Sequence, residues 1–179
     1  DGRLKSSLSF YADFASGPTA NMQWVAQQVV PVMRSSDTLK IAPLGAFASI
    51  LFSDEAIQYT NVHGPMPLKD YKELKEDHPL TYEKQSEVYS QIFRDLIKAD
   101  SILEVYQEAP TNNLDALIEK TDMVTEQTSA SAIVRMWRKY ANSLILRMAM
   151  TTVNVEGYTC MVNGVPKTAR QLGEEAVQR

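Results

Sequence analysis

The sequence predicts a predominantly α-helical protein. Three observations carry this. Apolar residues recur at steps of three and four over five stretches of the chain. Period-two alternation is almost absent, and clusters of turn residues such as His63–Pro67, Ala109–Asn113 and Asn154–Lys167 separate the periodic stretches.

The first periodic stretch runs from about Asn21 to Met33, with Met22, Val25, Val29 and Met33 on one face. Pro31 interrupts it and predicts a kink or an early stop. A second helix is expected over Ile41–Tyr59. Leu44, Phe47, Ala48, Leu51, Ala56 and Tyr59 form its apolar face, and Pro43 fits its first turn. His63-Gly64-Pro65-Met66-Pro67 ends it, because glycine and two prolines cannot continue a helix.

The third helix is expected over Lys84–Gln107. Val88, Ile92, Leu96, Ala99, Leu103 and Tyr106 make its stripe, Glu87, Arg94, Lys98 and Glu104 a solvated face, and Thr81 an upstream cap. Leu114–Ala130 is polar, rich in Thr and Glu, and ambiguous. The strongest helix follows, about Ser131–Val153, with Trp137, Tyr140, Ala141, Leu144, Ile145 and Met148 on its face. Asn142 and Arg147 lie inside this apolar run, where a buried polar group must find partners or cost a few kcal/mol, on the order of 1–3. In the turn-rich passage Asn154–Lys167, the pair Asn163-Gly164 suits a tight hairpin. A last helix begins near Thr168 with Ala169, Leu172, Ala176 and Val177, and the chain stops within it.

Helix pairs with aromatic and alanine positions suggest tetratricopeptide-like hairpins packed as an α-α superhelix with long loops, although the strict repeat of roughly 34 residues is not legible. The whole of residues 1–179 reads as a single helical region. An amphipathic helix at its very end has no following partner in this chain, so a piece of a longer protein is expected.

Bulk properties narrow the function. A net charge of −4 argues against an electrostatic grip on nucleic acid or on an anionic membrane surface. No apolar run approaches the ~20 residues that span a bilayer. Cys160 is alone, so it has no intrachain disulfide partner and no metal-ligand spacing. Glycine-rich phosphate loops, GxSxG elbows and HExxH pairs are absent from the sequence. His63 and His78 stand beside turn residues with no second ligand at metal spacing. Asp54 and Glu55 are adjacent, so on a helix they point roughly 100° apart, not at one another across a cleft. No catalytic residue, metal or cofactor is assigned. For a ligand, Trp24 with Tyr11 and Asn21 is the best local group: an aromatic platform beside polar side chains.

Several tracts, in order, resemble the SusD/RagB family of Bacteroidetes outer-membrane lipoproteins. Phe52–Pro67 looks like the family's helix ending in a "D-x-Y-G-D-I-P-Y" turn: Gly64 and Pro67 keep the turn, while His63, Pro65 and Met66 depart from it. Tyr82–Tyr89, with Ile92, Leu96 and Ala99, resembles the next helix. Trp137–Met150 is the closest match, and Thr168–Val177 resembles the helix after it. The resemblance covers most of Ile41–Arg179.

It implies tetratricopeptide-like helix pairs in a non-enzymatic protein. Such a protein is tethered by a lipid to the cell-surface face of the outer membrane. It captures glycans, or sometimes peptides, for a SusC-like TonB-dependent transporter. Within that frame Trp137, Asn142 and Arg147 are expected to lock helix packing rather than to touch sugar. A helical-repeat scaffold that binds only protein is the alternative.

Overall fold

The computed structural model describes residues 18–75, 79–110 and 112–179. These residues form seven helices and one small sheet: α1 Pro18–Ser35, α2 Ala42–His63, α3 Leu68–Glu73, α4 Gln85–Glu108, α5 Asn112–Thr121, α6 Ala130–Thr152, β1 Thr159–Val162, β2 Val165–Thr168 and α7 Ala169–Gln178. Helix α1 packs on α2, α2 on α4, α4 on α6 and α6 on α7, with α2 also reaching α6. Neighbours in sequence are thus neighbours in space, which is the helix-pair layout expected from the aromatic and alanine positions and from the family resemblance.

Pro31 does not stop α1. It lies on the exposed face, where the carbonyl it deprives of a donor meets water. The buried face of α1 is Met22, Ala26 and Val30, with Val29 and Met33 at its edge. Helix α2 is the centre of the core. Ile50, Phe52, Ala56, Ile57 and Tyr59 are almost wholly buried, while Leu44 and Leu51, expected on its apolar face, are only partly so. The other four expected residues, Phe47, Ala48, Ala56 and Tyr59, are buried; packing against α1, α4 and α6 buries further positions that the spacing does not mark, while Gln58, Asn61 and Val62 stay exposed.

The chain returns from α1 to α2 by a close approach. Ser36 is buried against Gly45, and a Cβ added at Gly45 would lie 2.4 Å from both Cβ and Oγ of Ser36. Gly64, at φ 78°, ends α2. The short helix α3, which the sequence pattern does not reveal, is fastened from outside. Its Leu68 N–H donates to Glu83 Oε2 (2.7 Å), and Met66 pairs with Glu83 in an isolated bridge. Thr81 is not the cap of α4; its N–H donates to Asp70 Oδ2 (2.5 Å), and Lys84 takes the N-cap place. The six residues expected on the apolar stripe of α4 are all buried.

The ambiguous segment contains α5, whose Ile118 is fully buried, followed by a loop. The Asn-Gly expectation holds. Asn163 (φ 50°) and Gly164 (φ 81°) form the turn between antiparallel β1 and β2, with Val162 opposite Val165. Thr168 then opens α7 with a reciprocal capping box to Gln171. Val177 differs from expectation: it is exposed, and the buried face of α7 is Ala169, Leu172, Gly173 and Ala176.

Gly45→Ala should destabilise the protein by about 1–3 kcal/mol through overpacking against Ser36, reversing the gain of up to ~1 kcal/mol that alanine normally brings to a helix. Urea unfolding of Gly45→Ala beside Gly173→Ala, whose added Cβ would lie 3.1 Å from Ala149, checks this, and Gly45→Ala should be the more damaging.

Candidate functional site

Helix α6 carries many of the long-range polar contacts among the described residues. Its N-cap Ser129 accepts from the Ala132 N–H (3.4 Å). Trp137 is buried and stacks on Phe47 of α2, with centroids 4.7 Å apart and planes 21° from parallel. Its indole N–H donates to Asp122 Oδ1 in the loop after α5 (2.9 Å). Burial raises the Asp122 carboxyl, but hydrogen bonds from Thr125, Trp137 and the backbone outweigh it and hold the group below its ordinary 3.8.

Asp100 of α4 is buried and is the point on which three helices meet. It accepts from Arg138 Nε (2.9 Å) and Asn142 Nδ2 (3.0 Å) of α6, and the Arg179 guanidinium lies 3.8 Å away. Arg138 extends the junction to Gln107 Oε1 (3.0 Å) and Glu104 Oε1 (2.8 Å). Asn142 also donates to the Arg138 carbonyl (3.0 Å).

Arg147 differs from the sequence expectation of a buried polar group. It is exposed and reaches Asp54 Oδ1 on α2 (2.7 Å), while Tyr140 donates to Asp54 Oδ2 (2.6 Å). Burial, reinforced by that carboxylate, pushes the Tyr140 phenol well above its usual range. Asp54 is therefore a clamp between α2 and α6, not half of a catalytic pair with Glu55.

The ligand candidates are less concentrated. Trp24 is 64% exposed on α1, and exposed Asn21 stands one turn before it on the same face. Tyr11 lies outside the described residues, as does His78. His63 sits at the end of α2 rather than in a loop, its ring tilted against Tyr59 at 4.7 Å. Cys160 is buried on β1, donates to the Ser90 carbonyl (3.4 Å) and has its thiol pushed up by burial, which disfavours the thiolate a nucleophile needs. Among the described residues there is no group of three or more His, Cys, Asp and Glu side chains placed to hold a metal.

Among the described residues, three wide grooves stand out on the surface beside a smaller recess of about 130 Å³. One of about 580 Å³ lies between the α1–α2 loop, α4 and α5, with an aliphatic floor. One of about 420 Å³ runs between α6 and α7 and is almost wholly apolar. The third, about 490 Å³, lies between the start of α4 and the 155–159 wall before β1, and its lining is polar. Sequence reasoning missed the third groove. Glu87 and Arg94 read as a solvated face, and nothing local indicates that Tyr158, far along the chain, comes to stand beside them.

The family model for "SusD-like: Susd and RagB outer membrane lipoprotein" matches residues 14–179. Among solved structures, the chain is similar to a SusD homolog from Bacteroides ovatus ATCC 8483, with 27% identity and a TM-score of 0.54. That likeness covers 77% of this chain and 24% of the other, so the chain spans about a quarter of that protein. No curated protein matches the chain.

Two consequences can be measured. Asn142→Leu should cost about 1–3 kcal/mol by stripping a donor from buried Asp100, whereas Arg147→Met should cost less than about 1 kcal/mol because that pair is solvent-screened; chemical denaturation separates them. The lowered Asp122 carboxyl contributes stability that is present above its unfolded value and lost as pH falls through its lower folded value. Asp122→Asn should therefore flatten the loss of stability below pH 3.8.

Proposed function

The chain belongs to the SusD-like family of outer-membrane lipoproteins, and from that membership we propose that it is the helical frame of a nutrient-capturing protein. The protein is held by a lipid at the cell-surface face of the outer membrane. It gathers oligosaccharides, or peptides, for a SusC-like TonB-dependent transporter, and it performs no chemistry of its own. The match over residues 14–179 is the observation that carries this reading. The helix-pair architecture and the likeness to a SusD homolog support it.

The division of labour within the chain follows from where its polar groups lie. On α6, Trp137, Arg138 and Asn142 point into partners on α4 and the 122 loop and hold the frame. Trp24 and Asn21 point to solvent, where an indole face can stack on the apolar side of a sugar ring. No helix among the described residues is long and apolar enough to cross a membrane. A lipid tether supplies the attachment in this proposal. The protein belongs to a longer chain, in keeping with its span of about a quarter of the solved homolog.

Affinity capture of the full-length protein from its native outer membrane tests the reading, and a TonB-dependent transporter should be recovered with it. Recovery of soluble partners alone would favour a helical scaffold that binds only protein. Trp24→Ala should lower glycan affinity about tenfold in titration calorimetry, with stability within about 0.5 kcal/mol of the parent because the residue is exposed.

A further inference from the structure

The groove between α4 and the 155–159 wall differs from the other two in its lining. Ser86, Ser90 and Arg94 recur every fourth residue, so they form one stripe along α4. Glu87 stands beside them. The facing wall brings Glu156 and Tyr158. Two backbone bonds shape that wall, from the Val155 N–H to the Thr152 carbonyl (3.0 Å) and from the Tyr158 N–H to the Val155 carbonyl (3.2 Å). Gly157 at φ 72° permits the turn.

The wall is fastened to the helix rather than merely near it. The Tyr158 and Ser90 hydroxyls are 3.1 Å apart, the Cys160 thiol bonds the Ser90 carbonyl, and the Tyr158 ring lies 6.5 Å from that of Phe93. Burial holds the Tyr158 phenol up at about 12, so it stays a neutral donor and acceptor at physiological pH. The groove is therefore formed before any ligand arrives, and its volume of about 490 Å³ falls within the ~300–1,000 Å³ of small-molecule sites.

Its chemistry selects a ligand class. Glu87 and Glu156 have no ion-pair partner among the described residues, and Arg94, which gives one N–H to Gln91 Oε1 (2.8 Å) and also bonds the Cys160 thiol, has five N–H donors in all and so retains some for a visitor. Carboxylates accept and the guanidinium donates; the Ser90 hydroxyl gives its proton to the Ser86 carbonyl (2.8 Å) and takes that of Tyr158, so both hydroxyls offer acceptor lone pairs, and the whole matches a ligand carrying many hydroxyls. Two carboxylates against one guanidinium repel an anion. An apolar ligand would desolvate all three charges without return.

We infer that this groove is a subsite for a neutral oligosaccharide, separate from the α1 surface that bears Trp24. The inference rests on the nutrient-capture reading and gives it a second, polar contact region. Sugar hydroxyls bridge Glu87, Glu156 and Arg94, while Tyr158 supplies the aromatic wall.

The test uses the full-length protein with malto-, cello-, xylo- and mannohexaose, and with trigalacturonate as the anionic control. Titration calorimetry gives affinity, and hydrogen–deuterium exchange reports residues 155–159 and the start of α4. One of the neutral probes should bind and slow exchange at both segments. The double variant E87A/E156A removes two exposed carboxylates without ion-pair partners among the described residues, of which Glu87 in the first turn of α4 favours the helix N-terminus, so its melting temperature should fall only slightly while neutral-probe affinity falls tenfold or more and the protection disappears. Arg94→Lys, which keeps the charge, should weaken binding less than Arg94→Ala. Neutral-probe binding that leaves exchange at these segments unaltered overturns the subsite and leaves the nutrient-capture reading standing. Tighter binding of trigalacturonate overturns the neutral class. Absence of all probe binding overturns the subsite, and the transporter capture then decides whether the wider reading falls with it.

Discussion

A single buried carboxylate sets the arrangement of the C-terminal half. Asp100 lies on α4 among apolar neighbours, and an unpaired charge there would cost several kcal/mol. It is tolerated because α6 delivers Arg138 and Asn142 to the same oxygen and α7 ends with Arg179 facing the other. A hydrophobic contact can slide by a turn and lose little. A guanidinium and an amide converging on one oxygen cannot, since a shift of one residue breaks both bonds and strands the charge. The junction thus fixes the register of α6 on α4 and the place where α7 closes over them.

The rest of α6 is located by contacts that radiate from this register. With Asp100 satisfied, the helix presents Trp137 to Phe47 and Asp122, and Tyr140 and Arg147 to Asp54. Helix α2 is thereby held from its other side as well, which is why most of it is buried and Gln58, Asn61 and Val62 are its exposed positions. The same register aims the end of α6 so that the 155–159 wall crosses the start of α4 and the hairpin leads into α7. The polar groove is a consequence of the junction two turns away from it.

Elements whose signals are local were legible in the sequence. The stripes of α4 and α6, the Asn-Gly hairpin and the Thr168 start of α7 all depend on spacing within a few residues. Signals that depend on distant partners were not. The face of α2 is set by three other helices, and α3 exists because Glu83 and Asp70 satisfy the groups around it. Thr81 looked like a cap and serves another helix. Asn142 was legible as a polar residue needing partners, but Asp100, which answers it from far along the chain, was not. Arg147 carried the opposite error: spacing placed it among apolar residues, yet its length lets the charged end leave the core and pair at the surface. Of the site, the exposure of Trp24 fits a residue off the main stripes, whereas the pairing of Tyr158 with Ser90 exists only in three dimensions.

One distinction organises the polar chemistry of the molecule. Where a charged or amide side chain has a partner on another helix, as Arg138, Asn142 and Asp54 do, its free energy is already committed to the frame, and a ligand would have to break that bond first. Where charged groups line a preformed concave wall without an ion-pair partner, as Glu87 and Glu156 do, water is their resting partner and exchange for sugar hydroxyls is nearly isoenergetic bond for bond. In the proposed subsite, net affinity would come from the aromatic wall, from the release of ordered water and from having ordered the wall during folding. A frame that fixes its own polar groups internally and leaves a second set unpaired on a rigid groove can bind a hydrated, neutral ligand without loosening the helices that hold it.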